Sequence, residues 1–260
     1  MPRLARILIY PVKSLDAVAV SETLVLDSGA LEHDRRFAVV DGNGKYVNGK
    51  RTPLIHKLRA TIDPVGRRIR LTARGDSHDF DLDVDRVPLE KWLTEFFGQP
   101  VRLIENPTAG FPDDTEASGP TVISTATLEE VAGWFPELDV AETRRRFRAN
   151  LEIDDVEPFW EERLYSDAGT DVRFRIGNVE LVGTNPCQRC VVPTRSSETG
   201  ERYADFTSIF EARRYETLPY WATRSRFDHF YRLAVNTRPV AGKGGVICVG
   251  DDVRIVGSSE

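Results

Sequence analysis

Two of the chain's three cysteines stand three residues apart, in Asn185-Pro186-Cys187-Gln188-Arg189-Cys190. Thiolates are soft ligands, suited to zinc, copper, iron–sulfur clusters or a metal carried on an organic cofactor. Arg189 lies between the two sulfurs in sequence, and a guanidinium beside a thiol favours the thiolate, the form that binds metal or attacks. The chemical question is what occupies Cys187 and Cys190.

Two familiar answers fit poorly. A structural zinc site closes with four Cys or His ligands, commonly from two C-x-x-C knuckles. Only Cys248 and the separated His33, His56, His78 and His229 remain to complete one, and none stands at paired ligand spacing. A thiol–disulfide exchanger sets its motif at a helix start, where the helix dipole stabilises the thiolate. Here Pro186 precedes the first cysteine, and Val191-Val192-Pro193-Thr194 after the second reads as a strand.

Other polar clusters suggest an anionic ligand. Tyr10-Pro11-Val12-Lys13-Ser14 puts a Lys and a Ser just after a strand, and His33-Asp34-Arg35-Arg36 puts guanidinium groups just before another. Arg144-Arg145-Arg146-Phe147-Arg148-Ala149-Asn150 adds more. Arg offers a bidentate fork, Lys a point charge, Ser and Asn neutral donors, which together hold phosphate. Strand alternation would set Arg146, Arg148 and Asn150 opposite Phe147 and Ala149, facing either such a ligand or solvent.

The elements that must position these groups are mainly β with a few helices. Short β-branched or alternating runs at 5–10, 17–20, 24–26, 36–40, 69–72 and 80–84 predict strands. Asp41-Gly42-Asn43-Gly44 predicts a hairpin turn. A helix is expected from Pro88 to Phe97, with Pro88 at its first position and Gly98 ending it. Its aromatic stripe reads as core. Glu105 to Gly119 reads as a linker or long loop, Thr121–Ile123 as a strand, and Thr127-Leu128-Glu129-Glu130 as a capping box for a helix ending near Trp134. A short helix is expected over Asp139–Arg145, and a helical stretch over Thr207–His229. Strands are expected near 172–176, 179–182 and 190–194, and strand–turn–strand at the end. Strands and helices do not alternate, which argues for barrels or sandwiches over a doubly wound sheet.

The 260 residues suffice for one large domain or two modest ones. A net charge of −6 speaks against nucleic acid and anionic membranes as partners. No run approaches the ~20 apolar residues of a membrane span. The N-terminus enters strand-like sequence without a signal-peptide core, and three cysteines suit a reducing cytoplasm better than a disulfide framework.

In this order the motifs resemble the MOSC family, named for the C-terminal domain of molybdenum-cofactor sulfurase. Tyr10-Pro11-Val12-Lys13-Ser14 is similar to the opening of the family's N-terminal β-barrel domain, and Asp34–Val40 to its arginine-bearing strand. Phe147-Arg148-Ala149-Asn150 resembles its R-x-N element. Cys187-Gln188-Arg189-Cys190, with Thr194 and Thr199-Gly200-Glu201, resembles its C-x-R-C segment and the turn after it. Val249–Val253 resembles its closing strand.

The resemblance implies a β-barrel-like N-terminal domain over 1–118 packed on a MOSC β-barrel domain over 119–260. It implies a molybdenum cofactor (molybdopterin) in a cleft between them, with Cys190 as the metal ligand and catalytic residue. Lys13, Ser14, Arg35, Arg148 and Asn150 match positions that hold the pterin or its phosphate; Arg189 and Cys187 complete the cofactor-binding set, Cys187 packing beneath the site. Nearest in architecture are the amidoxime-reducing proteins. This implies reduction of N-hydroxylated substrates such as amidoximes, hydroxylamines or N-hydroxylated bases. The alternative is a non-catalytic cofactor carrier or a sulfur-delivery module bearing a persulfide on Cys190; no pyridoxal-phosphate desulfurase domain is recognisable, so that sulfur would be delivered to it. There are departures from the pattern. Ala117-Ser118-Gly119-Pro120 stands where some relatives carry Asp-Thr-Ser before the Pro, and Tyr215–Arg232 is poorly matched. No cysteine set for a cluster follows, so electrons are expected from a separate ferredoxin, flavodoxin or cytochrome b5 type chain.

Overall fold

The computed structural model describes residues 1–240, 242 and 244–259. The fold is mainly β, as expected. Its largest element is an eight-stranded sheet that draws on both ends of the chain. Strands β1 (Arg3–Ile9) and β2 (Val18–Val20) form one edge. β1 pairs antiparallel with a strand from the middle of the chain, Ile7 opposite Leu151. Strand β3 (Glu22–Val25) leaves this sheet and pairs with a segment more than 200 residues later, Leu24 opposite Val246.

A second β region follows. Strand β4 (Phe37–Asp41) turns at Asp41-Gly42-Asn43-Gly44 as the turn residues predict; Gly44 N–H donates to Asp41 O, and Val40 bridges to Tyr46. Strands β5 (Arg59–Asp63), β6 (Arg68–Ala73) and β7 (Asp76–Asp81) make an antiparallel meander. Helix α1 (Arg86–Phe97) buries Leu89, Leu93 and Phe96, so its stripe is core. Gly98 ends it at φ 66°, the left-handed geometry that glycine adopts at little cost. The helix begins at Arg86, with Asp85 as its N-cap, so Pro88 falls at the third position, not the first. Strand β8 (Val101–Glu105) pairs with β4, Val39 opposite Leu103. These elements close on one core containing Val39, Leu58, Leu71, Leu93 and Leu103.

Strand β9 (Val122–Ser124) leads directly into helix α2 (Thr125–Ala132). The cap is Ser124, whose side chain accepts from Thr127 N–H, and not a Thr127–Glu130 box. Thr127 is buried, and its hydroxyl is committed to Ser124, Glu161 and the Phe159 N–H instead. Helix α3 (Val140–Phe147) is capped by Asp139 and stops at Arg148, which takes φ 55°. Strand β10 (Leu151–Asp154) lies parallel to β9 and antiparallel to β1. The alternation expected over Arg146–Asn150 is therefore absent, because the chain there is a helix end and a turn. Strands β11 (Asp171–Ile176) and β12 (Val179–Gln188) form a hairpin, and helix α4 (Phe206–Glu216) packs Phe206 and Phe210 against Phe135 and Phe147. Strand β13 (Arg232–Pro239) pairs with β12; β14 (Gly245–Cys248) is the partner of β3, and β15 (Val253–Ser259) closes the far edge of the sheet on β11.

The strand expected over 190–194 is a 3-10 turn at Val192–Thr194. The ladder between β12 and β13 ends at Gln188–Arg232, and Pro193 has no N–H to offer another. Strands β5, β8 and β13 were not anticipated. Among the described residues no helix is long and apolar enough to cross a membrane.

Candidate functional site

A cleft of about 1110 Å³ opens where the loop after β1, the Asp34–Arg35 turn, segment 109–121, the end of α3 and the end of β12 meet. Lys13, Ser14, Arg35, Arg148, Asn150, Cys187, Arg189 and Cys190 all line it. Residues nominated from four separate stretches of sequence thus share one cleft. Eleven Lys or Arg side chains line the cleft against six Asp or Glu, inverting the charge balance of a chain that is −6 overall. Such a concentration of positive charge in a concave site attracts anions.

Three of these residues hold backbone conformations that L-residues seldom adopt: Ser14 (φ 71°), Arg35 (φ 49°) and Arg148 (φ 55°). Each costs on the order of 1 kcal/mol and persists where the surroundings impose it. For Arg148 the imposing contacts are the helix-end bond of its N–H to Arg144 O and its own guanidinium donating to Leu15 O at 2.7 Å. Burial lowers Arg148 from the usual guanidinium range. Burial would do the same to Arg35, but the adjoining Asp34 carboxylate outweighs it and the charge is held. Asp34 in turn accepts from Tyr10 N–H at 2.7 Å, tying the turn to the end of β1.

Asn150 is a brace in the cleft wall. Its Nδ2 donates to Leu8 O at 3.0 Å, and its Oδ1 accepts from Thr121 N–H and Oγ1, both at 3.3 Å. Arg35 Nη1 lies 3.5 Å from the same oxygen. Both ends of the amide are engaged, so Asn150 fixes β1, segment 120–121 and Arg35 relative to each other. Lys13 is buried, with its ammonium donating to Phe111 O at 2.8 Å and Asp113 Oδ1 at 2.6 Å.

The sulfur loop follows a strand that is bulged at Pro186–Gln188, a position where a residue without an N–H does no harm. Arg189 N–H donates to Tyr231 O at 3.0 Å, and its guanidinium reaches Phe147 O and, at 3.1 Å, Cys187 Sγ. Arg189 therefore ties the loop to the end of α3. Cys190 Sγ accepts from Val192 N–H at 3.5 Å, a donor supplied by the 3-10 turn. Cys187 is half-buried and lines the cleft rather than packing beneath it.

Several cleft residues escape a reading by motif. His56, considered above only as a zinc ligand, lines the cleft, and burial followed by Arg148 and Arg195 pushes it below the ordinary imidazole range. A Cβ on Gly49 would stand 2.8 Å from His56 Nε2 and 3.2 Å from Val192 Cγ2, so the missing side chain lets the two halves approach. Asp113, Lys50, Arg59, Asn185 and Asn236 also line the wall. The expected linker carries Asp113, and its acidity was the one available signal. Among the described residues no group of three or more His, Cys, Asp or Glu is arranged to hold a metal ion.

The fold and cleft define a two-part β protein with a cationic, thiol-bearing cavity. Residues 1–138 match the MOSC N-terminal beta barrel domain and residues 118–254 the MOSC domain, and the chain belongs to this family. It is 28% identical over 233 residues to the molybdenum cofactor sulfurase of Drosophila mojavensis, covering 77% of this chain and 29% of that one. It is 27% identical over 233 residues to mitochondrial amidoxime-reducing component 1 of Danio rerio, covering 75% of this chain and 69% of the relative. The chain spans about three tenths of the length of the sulfurases it matches. The YUAD protein from Bacillus subtilis aligns over the whole chain and 97% of its own at 12% identity and a TM-score of 0.38, too distant a likeness to carry an argument.

Proposed function

We propose that this chain binds the molybdenum cofactor in its cleft and reduces N-hydroxylated compounds there, with Cys190 as the protein ligand to the metal. The observation that carries this reading is the convergence of Cys190 with Lys13, Ser14, Arg35 and Arg148 in one cleft lined by an excess of cationic side chains. The residues fit such a group: a thiol open to the cavity, guanidinium and ammonium groups for a phosphate, and volume enough for a pterin. When bound, the cofactor supplies the two-electron chemistry that side chains cannot.

The chain's own residues bind and orient. Arg35 and Arg148 offer forked donors to a phosphate, and their left-handed backbones aim them without further rearrangement. Asn150 and Arg189 position these groups through the bonds described above. Val192 N–H donates to the Cys190 sulfur at 3.5 Å and so helps to fix its position. Conversion of N–OH to N–H takes up two electrons and two protons and releases water. A separate electron-transfer protein in the cytoplasm supplies the electrons in this reading.

The test is metal analysis of protein made in a molybdate-supplied host, beside a Cys190→Ala variant. Near-stoichiometric molybdenum, lost in the variant together with reduction of an amidoxime by an artificial donor, is the expected result. Zinc or no metal in a host competent to make the cofactor rules the reading out. A second reading, a sulfur carrier, is favoured by the sulfurase relatives. Its signature is a persulfide on Cys190 by mass spectrometry, without reductase turnover.

A further inference from the structure

Lys13 is only 5% exposed, and its ammonium is capped by two groups from one segment, Phe111 O and Asp113 Oδ1. That segment is tied down at both ends. Upstream, Phe111 N–H donates to Arg35 O at 2.9 Å, Asn106 closes a turn on Gly110 O at 3.0 Å, and a Cβ on Gly110 would meet Asp34 O at 2.6 Å. Downstream, the Ser118 hydroxyl donates to Ser28 O, and Gly119 N–H donates to Thr237 O at 2.9 Å. A Cβ on Gly119 would stand 2.4 Å from Thr237 Oγ1, so that end too is held close.

Between the anchors, residues 113–116 are exposed. Their polar links to the body are Asp113 to Lys13 and, at 3.9 Å, to Lys50, and a 3.5 Å contact of Asn236 Nδ2 with Asp114 Oδ2. The two partners of the Lys13–Asp113 pair are unequal. The Asp113 side chain is 62% exposed and that of Lys13 only 6%. Asp113 can return to water at small cost, whereas a buried ammonium left without a counter-ion is strongly unfavourable. Simple opening is therefore disfavoured, and exchange of one anion for another is not.

We propose that Asp113 is a built-in counter-ion in the anion seat of Lys13, and that a phosphate-class anion entering the cleft displaces it and frees the strap 112–117. This rests on the reading that the cleft takes a phosphate-bearing ligand. Phe111 keeps its bond to Lys13 because its anchor lies upstream, and Pro112 separates the fixed part from the moving part. Lys13, Lys50 and Arg35 around Asp113 hold its carboxyl at about 2, so the latch is ionised throughout the neutral range.

The experiment is calorimetric titration of inorganic pyrophosphate into the full cofactor-free chain, for wild type, Asp113→Asn, Lys13→Ala and the double variant. Hydrogen exchange of 112–117 is followed alongside. Asp113→Asn is expected to bind on the order of tenfold tighter, the worth of one charge-assisted contact no longer displaced. Pyrophosphate should raise exchange in the wild-type strap, and the gain should vanish in the Lys13→Ala background. Equal affinity in wild type and Asp113→Asn overturns the latch while leaving the anion cleft standing. An equal gain in the Lys13→Ala background also overturns it, since Asp113 would then act as a general repulsive charge. Absence of pyrophosphate binding in every variant removes the anion cleft itself, and the latch with it.

Discussion

The Arg148 guanidinium lies 4.1 Å from the centre of the Tyr10 ring, and Arg35 approaches the same ring at 5.2 Å. One buried aromatic ring thus contacts two of the guanidinium groups that line the cleft. The Tyr10 hydroxyl donates to Ala149 O at 3.2 Å, and burial pushes it up to about 12. The phenol stays neutral, so the ring serves as an apolar platform with a polar anchor.

Tyr10→Leu keeps apolar volume and discards both the cation–π surface and the anchor. It should cost about 1–3 kcal/mol in stability and weaken pyrophosphate binding about tenfold or more. Tyr10→Phe should lose the smaller stability increment alone. Thermal denaturation and titration of the two variants check this; unchanged anion affinity in Tyr10→Leu would show that the ring does not position the arginines.

Gly183 is where β12 passes closest to another backbone. A Cβ there would stand 1.8 Å from Leu164 O and 2.7 Å from its carbonyl carbon. Gly183→Ala should cost more than about 3 kcal/mol or prevent folding, since backbone must move to admit it. Soluble yield and the thermal midpoint report the outcome.

Arg214 on α4 is fully buried against Glu162. Burial pushes the Glu162 carboxyl up while Arg214 pulls it down, so removing the guanidinium leaves burial unopposed. Arg214→Met should cost about 3–5 kcal/mol, and adding Glu162→Gln should return much of it. Denaturant unfolding of both variants measures the difference.

Glu161 supplies a pH dependence. Burial raises its carboxyl from 4.5 to about 7, and Thr127 is a hydrogen-bond partner. The native state keeps a proton there that the unfolded chain has lost, so its stabilising contribution is complete below about 4.5 and disappears as pH rises through about 7. Glu161→Gln should flatten the fall in stability between those limits, measured by denaturant midpoints across pH. An unchanged slope would place the titration elsewhere.

Much of the candidate site was legible because its motifs are local. Tyr10–Ser14, Asp34–Arg36, Arg148–Asn150 and Cys187–Cys190 each juxtapose residue types that bind anions or soft metals, and spacing alone displays them. The strand patterns of β1, β4, β6 and β11 were legible for the same reason, since alternation is a property of neighbours. The missed strands have the opposite character. β5 reads Arg59-Ala60-Thr61-Ile62-Asp63, with one fully buried apolar residue, and its pairing with β6 rather than its composition makes it a strand.

Arg148 marks the limit most clearly. Its type and its neighbour Asn150 were visible, but the expected alternation was wrong, because α3 continues to Phe147 and Arg148 takes the left-handed cap. Where a helix stops depends on what its end packs against, here Leu15 O and the Tyr10 ring, more than 130 residues away in sequence. Asp113 and His56 belong to the same class. By itself, then, the chain determined which chemistries were available, the β-rich character and the residues that carry charge and sulfur. Only the tertiary structure decided that they share one cleft, that Asn150 and Arg189 position their neighbours, and that a carboxylate already sits on Lys13. The physical reason is that each depends on contacts between segments remote in sequence, whose geometry no local pattern encodes.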